Sequence, residues 1–252
     1  MENILNPPVV IDRFVVKRNI KVNVVRDDVL VGGTKQRALD IFINNCYNEY
    51  IYAGPAEGFA QIALSYVCYL YGKQATVFLA KREKETLLTQ KARELGALIK
   101  YINPPNRIQN LIQKAKNYAK KDKKRTLLPF GLDTPVYIAY LASRIKNAWG
   151  KKRKPKRMWL VAGSATILRA LHTIFPECFF LIVRVGKKIW PDQVEGIKHK
   201  IYTSKLRFAQ KAYITPPYES VITYDAKLWE FVEKHGQDGD YIWNVAKDIQ
   251  EV

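Results

Sequence analysis

Apolar positions along the chain alternate between two rhythms. Short apolar runs of five to seven residues read as strands, and longer stretches with apolar residues three or four apart read as helices. Val22, Val24 and Val25 form a strand-like stretch that leads into a glycine pair and a predicted helix over 34–45. Strands follow over 49–53, 74–80, 98–102 and 126–130, interleaved with helices over 57–71, 84–95 and 107–121. The 57–71 segment is apolar nearly all round, the pattern of a buried helix. Gly96 stops the 84–95 segment in the manner of a glycine C-terminal cap. A helix over 134–149 carries Pro135 in its first turn, and strands over 158–162 and 179–185 flank a helix over 165–175. This alternation predicts an α/β fold of parallel sheets with crossover helices. Residues 186–223, with Pro191, Pro216 and Pro217, read as loop-rich. A helix over 225–235, capped by Asp225, and a strand over 241–245 close the pattern.

Composition narrows the class. The chain has 252 residues, enough for a sizeable core in one large or two smaller domains. No apolar run reaches membrane-spanning length, and the start Met-Glu-Asn-Ile lacks a leader pattern. Cys46, Cys68 and Cys178 lie far apart in apolar surroundings and read as buried free thiols of a reducing compartment, the cytoplasm. His172, His199 and His235 are equally scattered, so no metal-ligand spacing and no Ser/His/Asp order emerges. Charge changes the picture. Forty-two Lys and Arg against 23 Asp and Glu give +19, an excess that favours polyanionic partners such as nucleic acid or phosphorylated ligands. Two clusters dominate: 114–125 with seven basic residues and one acid, and 146–157 with seven basic residues and no acid. Each is either solvated surface or a nucleic-acid footprint.

Three glycine-containing turns each lead into a helix, where ligands bind at the carboxyl ends of parallel strands. The first, Gly32-Gly33-Thr34-Lys35, places a lysine at the positive end of a predicted helix, which disfavours its charged form and suits amine chemistry. The second runs from Gly54 to Gly58. The third, Gly163-Ser164-Ala165-Thr166, is a candidate phosphate cradle of helix-start N–H groups and two hydroxyls, or a plain small-residue turn. Arg26, Asp27, Asp28 and Arg37 either face a substrate or form an ion-pair network that fixes the first turn.

The run Arg26-Asp27-Asp28 through Gly32-Gly33-Thr34-Lys35 to Arg37 resembles the lysine motif of fold-type II pyridoxal-phosphate (PLP) enzymes, the tryptophan synthase β-like group. It is most similar to their aminocyclopropane-carboxylate deaminase and D-cysteine desulfhydrase branch. The likeness spans most of the chain, with 52–80 paralleling the family's strand, turn, buried helix and next strand. It implies a larger domain (1–45 and 135–252) with a smaller inserted α/β domain (46–134), PLP as cofactor and a homodimer. Lys35 is then the Schiff-base lysine, and Gly163, Ser164, Ala165 and Thr166 bind the phosphate. Phe59 stands where the family keeps an asparagine against the pyridine, and Asn244 takes the place of the ring-nitrogen partner. Thr34, Glu57, Gly58 and Tyr224 fall on the substrate side. The second turn lacks the family's asparagine and carries an acid, which points to an unusual substrate. Phage and viral members of this kind accompany systems that attach amino acids to modified DNA bases, and the Lys-, Ile-, Asn- and Tyr-rich composition fits an A+T-rich genome. The resemblance implies a lyase, deaminase or decarboxylase acting on an amino acid or a nucleic-acid-borne aminoacyl group, located in the host cytoplasm if viral. The alternative is a degenerate fold that binds nucleic acid without catalysis.

Overall fold

The computed structural model describes residues 2–103, 107–186 and 188–250. Its strands are β1 (Ile11–Val15), β2 (Lys21–Arg26), β3 (Glu49–Ala53), β4 (Gln74–Ala80), β5 (Leu98–Ile102), β6 (Arg125–Leu127), β7 (Arg157–Ala162), β8 (Phe179–Arg184), β9 (His199–Thr203) and β10 (Tyr241–Asn244). Its helices are α1 (Glu2–Leu5), α2 (Gln36–Leu39), α3 (Ala60–Leu70), α4 (Leu87–Glu94), α5 (Ile108–Ala119), α6 (Pro135–Trp149), α7 (Thr166–Ile174) and α8 (Trp229–His235). The chain divides into two compact units. One comprises Met1–Leu5, Val31–Tyr137 and Ile249–Val252; the other comprises Asn6–Leu30 and Ile138–Asp248. The Lys35 segment therefore clusters with residues 46–134.

The first unit holds a four-stranded, all-parallel sheet in the order β5-β4-β3-β6. β3 is central and buried along nearly its whole length, as its run Tyr-Ile-Tyr-Ala requires. Leu111 and Ala115 of α5 pack on Ile51, Ala53 and Phe78. α4 starts at Thr86, whose hydroxyl accepts from the Thr89 N–H at 3.2 Å. It ends as expected at Gly96, at φ +83°, where the Gly96 and Ala97 N–H groups close back on Arg93 and Ala92. The predicted 126–130 strand is shorter: β6 ends at Leu127, and Gly131, at φ +72°, turns the chain.

The second unit holds a six-stranded sheet in the order β1-β2-β10-β7-β8-β9, parallel except for the β1–β2 pair. β10 takes alternate residues to opposite faces. Ile242 joins Trp159, Val24, Leu181 and the α8 residues Trp229 and Val232 in one core. Tyr241 and Trp243 instead meet Trp149 of α6, which also packs edge-on against Phe175. Two strands were not foreseen. β1 is an edge strand whose Asp12 and Arg13 interrupt its apolar pattern. β9 lies inside the stretch expected to be loop, of which Lys187 falls outside the described residues. Among the described residues no helix is long and apolar enough to cross a membrane, and no group of three His, Cys, Asp or Glu side chains could hold a metal. Cys68 and Cys178 are buried, but Cys46 is exposed, because it sits in the turn between Phe42 and β3 rather than in an apolar element.

Candidate functional site

In the first unit the glycine turn is clamped from several sides. The Gly32 N–H donates to Gln36 Oε1 at 2.7 Å, and Gln36 Nε2 donates to the carbonyls of Ile4 and Leu5, both at 3.3 Å. A Cβ on Gly32 would lie 2.8 Å from the Ala63 Cα, so only glycine lets this turn lie against α3. Gly33 adopts φ +60°, and Thr34 is fully buried. Lys35 follows, half-buried, and its carbonyl accepts from the Tyr137 hydroxyl at 3.0 Å. Tyr137 in turn stacks on Phe42.

The continuous helix expected over 34–45 is not formed. A 3-10 turn over Gly33–Lys35 gives way to the one-turn α2 and a second 3-10 turn over Asp40–Phe42. The chain leaves the helical path at Ile43 because Tyr50 captures the next residue. Its hydroxyl accepts from the Asn44 N–H at 2.8 Å and donates to the Asn44 carbonyl at 3.0 Å. Lys35 thus sits on a clamped turn rather than at the head of a long helix dipole.

The second turn lies in the same unit, ahead of α3. Buried Gln61 gathers its carbonyls, donating to Ala56 at 2.7 Å and Gly58 at 3.3 Å. Thr86 donates to the Ala56 carbonyl from the other side. Phe59 occupies the capping position and offers no side-chain hydrogen bond. The Glu57 carboxylate is met by Arg82 at 2.5 Å, so its charge is balanced inside the unit. The helix expected from residue 57 begins at Ala60.

In the second unit, the turn after β7 carries a signature the sequence does not advertise. Ala165 has φ +57°, a left-handed conformation that costs a non-glycine residue roughly 1–3 kcal/mol and tends to persist where function holds it. The Ser164 and Thr166 hydroxyls lie 2.9 Å apart at the start of α7. Gln193 Nε2 donates to the Ser164 carbonyl at 3.1 Å, while its Oε1 accepts from the Trp190 N–H at 3.0 Å. Tyr224 stands over the turn, and a Cβ on Gly163 would come 3.3 Å from its hydroxyl. Burial raises the Tyr224 phenol well above its ordinary value, so it stays protonated, a hydrogen-bonding group and not a base.

At the end of β10, Asn244 is buried. Its Nδ2 donates to Asp28 Oδ1 and to the Glu219 carbonyl, both at 2.7 Å. Both amide hydrogens are then used, and Oδ1 is buried with no hydrogen-bond partner. Behind it, Arg26 grips both oxygens of Asp28 at 2.8 Å and reaches Asp12 at 2.6 Å. Of the two readings of Arg26 and Asp28, the structure realises the ion-pair network. Asp225 does not cap a helix. It lies buried inside a 3-10 turn, Asp225–Leu228, that precedes α8.

The predicted residues therefore fall in two groups. Thr34, Lys35, Glu57, Gly58 and Phe59 belong to turns that meet α3 in the first unit, and Gly163 to Thr166, Tyr224 and Asn244 belong to the second. Within the second, Tyr224 and Gly163 come together, and Asn244 shares the carboxyl end of the parallel strands with the 163–166 turn. Sequence reasoning missed Gln36, Gln193, Tyr137 and Arg82, which hold these turns. Gln36 alone had a signal, its place within the lysine motif.

No protein-family model matches the chain, and no curated protein matches it in sequence. Solved structures do match its fold. An aminocyclopropane-carboxylate (ACC) deaminase homologue superposes with a TM-score of 0.76 over 96% of this chain and 90% of its own, at 14% identity. Threonine deaminase isoform 2 from Solanum lycopersicum gives 0.66 over 99% and 83%, at 10% identity. The O-acetylserine-dependent cystathionine beta-synthase of Helicobacter pylori gives 0.64 over 98% and 95%, at 16% identity. With its two parallel-sheet units and this set of neighbours, the chain has the fold of the fold-type II PLP enzymes.

Proposed function

We propose that the chain is a PLP-dependent enzyme of lyase, deaminase or decarboxylase type, acting on the amine of an amino acid or an aminoacyl group. The observation that carries this reading is the donor set at one end of the six-stranded sheet. The hydroxyls of Ser164 and Thr166 at a helix start suit a phosphate. The orphaned Asn244 Oδ1 is a buried acceptor that suits a ring N–H. These residues fit PLP, and Lys35 supplies the amine that would anchor it. When bound, the cofactor supplies an electron sink for bonds at the substrate α-carbon.

The rest of the work falls to this chain's side chains. Lys35 takes or returns a proton at the α-carbon, as a lysine held on a clamped turn can. Tyr224, kept protonated, accepts from the Gly163 N–H at its hydroxyl oxygen and so braces one side of the turn. Asp28 fixes the Asn244 amide so that its oxygen points away from the ion-pair network. Phe59 offers an apolar face, and Glu57 with Arg82 offers a neutralised pair, where a free substrate carboxylate would otherwise find polar groups.

That last point, with the +19 charge, favours a substrate whose carboxyl is esterified or amidated on a polyanion, such as an aminoacyl group on a modified DNA base. We take a homodimer as the working assembly. The same charge supports a second reading, in which the fold binds nucleic acid and has lost catalysis. Adding PLP to the purified protein and recording its visible spectrum separates the two. The expected result is a visible band that Lys35→Ala abolishes; no band at saturating cofactor removes the enzymatic reading.

A further inference from the structure

The basic stretch at the end of α6 is a constructed feature of the second unit. Lys146, Lys151, Lys152, Arg153, Lys154 and Lys156 are all exposed, and among the described residues none of them forms an ion pair. The contrast begins one residue later, where Arg157 pairs with Asp240 at 2.8 Å. This unit supplies an acid where it neutralises a cation, and supplies none to the six before it.

The backbone beneath those six cations is pinned. The Lys152 carbonyl accepts from Trp149 Nε1 at 3.1 Å, and the Arg153 carbonyl from the Tyr241 hydroxyl at 3.4 Å. The Lys146 and Lys156 carbonyls accept from the Gly150 and Phe179 N–H groups at 3.2 and 2.9 Å. Pro155 is buried between two exposed lysines. The carbonyl oxygens are held by the unit's own donors, and the charged side chains are exposed. Holding six like charges on a fixed strip is electrostatically unfavourable until an anion lies along it.

The chemistry of the strip selects the partner. Ala148, Trp149 and Pro155 are buried, so no apolar side chain is left to enter a bilayer. No aromatic ring is exposed on the strip for stacking unpaired bases. Five of the six cations are lysines, point charges suited to phosphates rather than to reading base edges.

We propose that residues 146–156 form a sequence-independent docking strip for the phosphate backbone of double-stranded nucleic acid. The strip does not depend on the cofactor reading, and its test needs no cofactor. Binding of a random-sequence duplex DNA is measured by anisotropy across a salt series, for the intact protein and for Lys151→Gln/Lys152→Gln/Lys154→Gln. Each phosphate contact contributes about 0.9 to the slope of log K against log salt, so the triple variant loses about three in slope. A second triple, Lys116→Gln/Lys120→Gln/Lys121→Gln on and after α5, removes the same charge and keeps the slope.

Thermal melting of both variants checks that each remains folded. Equal losses in the two triples would show that only net charge matters, and an unchanged slope in the first would remove the strip. Tighter binding to phosphatidylserine vesicles or to single strands than to duplex also overturns the proposal. Lys35→Ala keeps the full slope, so failure of the cofactor reading and failure of the strip are read separately.

Discussion

Gly32 and Gly163 each open a turn into a helical segment, and they are glycines for different reasons. At Gly32 there is no room. A Cβ would stand 2.8 Å from a backbone atom of α3 and 2.9 Å from Gln36, both fixed by packing. At Gly163 there is nearly enough room, since a Cβ meets only the Tyr224 side chain, its hydroxyl at 3.3 Å and a ring carbon at 4.0 Å. The first glycine serves the fold and brings the Lys35 turn down onto α3. The second leaves a face open beside a tyrosine, a residue left in left-handed conformation and two hydroxyls. Tightness marks the turn that carries the amine; openness and strain mark the turn that would receive the phosphate.

Five substitutions press on this difference. The largest effect is expected at Asn244→Leu. It takes one donor from the buried Asp28 carboxylate, which Arg26 still holds, and one from the Glu219 carbonyl, at about 1.5–3 kcal/mol for the charged bond and about 1 for the other. Urea unfolding measures it, and a loss under ~0.5 kcal/mol would mean that the network behind the open turn is slack. Next is the glycine pair itself. Gly32→Ala should cost about 1–3 kcal/mol by overpacking, whereas Gly163→Ala should cost well under that and act on binding of a phosphate ester instead. Equal stability losses at the two positions would erase the distinction.

A smaller effect, of opposite sign, belongs to Ala165→Gly. Relieving the left-handed strain should raise stability by up to ~1 kcal/mol, visible as an upward shift in Tm. The smallest concerns the outer support of the open turn. Lys227 Nζ donates to the carbonyls of Arg207 and Phe208 at 2.7 and 3.1 Å, and the Phe208 ring packs on Tyr224. Burial pulls the Lys227 amine from its ordinary 10.5 down to about 8. Between those values the unfolded chain binds the extra proton, so stability should rise as pH climbs from about 8 toward 10.5. The two carbonyl bonds, which favour the charged form, limit the rise. Lys227→Met should flatten this part of a pH–stability curve.

Much of this was legible in the sequence. β3, β4, β7, β8 and β10 are buried in parallel sheets and read as unbroken apolar runs, with boundaries close to those observed. The rest failed where burial is partial. β9, His-Lys-Ile-Tyr-Thr, lies at a sheet edge with three of its five residues exposed and none fully buried, and nothing in its composition separates it from a loop. The 34–45 helix had the right period, but the Tyr50 hydroxyl offered Asn44 a better set of bonds than a further helical turn. At the candidate site, glycine spacing and the lysine motif pointed to Lys35 and to 163–166. The supporting contacts from Gln193 and Arg82 bridge long sequence separations and leave no periodic trace. The left-handed Ala165 could not have been read at all, because alanine gives no hint of positive φ.

The position of β10 in the six-stranded sheet has a consequence for synthesis. It pairs with β2 on one side and β7 on the other, so residues 241–244 join the N-terminal hairpin to the rest of that sheet. The first unit is drawn mainly from the uninterrupted stretch Val31–Tyr137 and can gain its contacts while the ribosome is still working. The second must leave β1 and β2 waiting, with an open edge, until more than two hundred further residues have emerged. A ribosome stalled before β10 would release a chain with one finished sheet and one split sheet, and the exposed edges of the latter are where aggregation of such nascent fragments should begin.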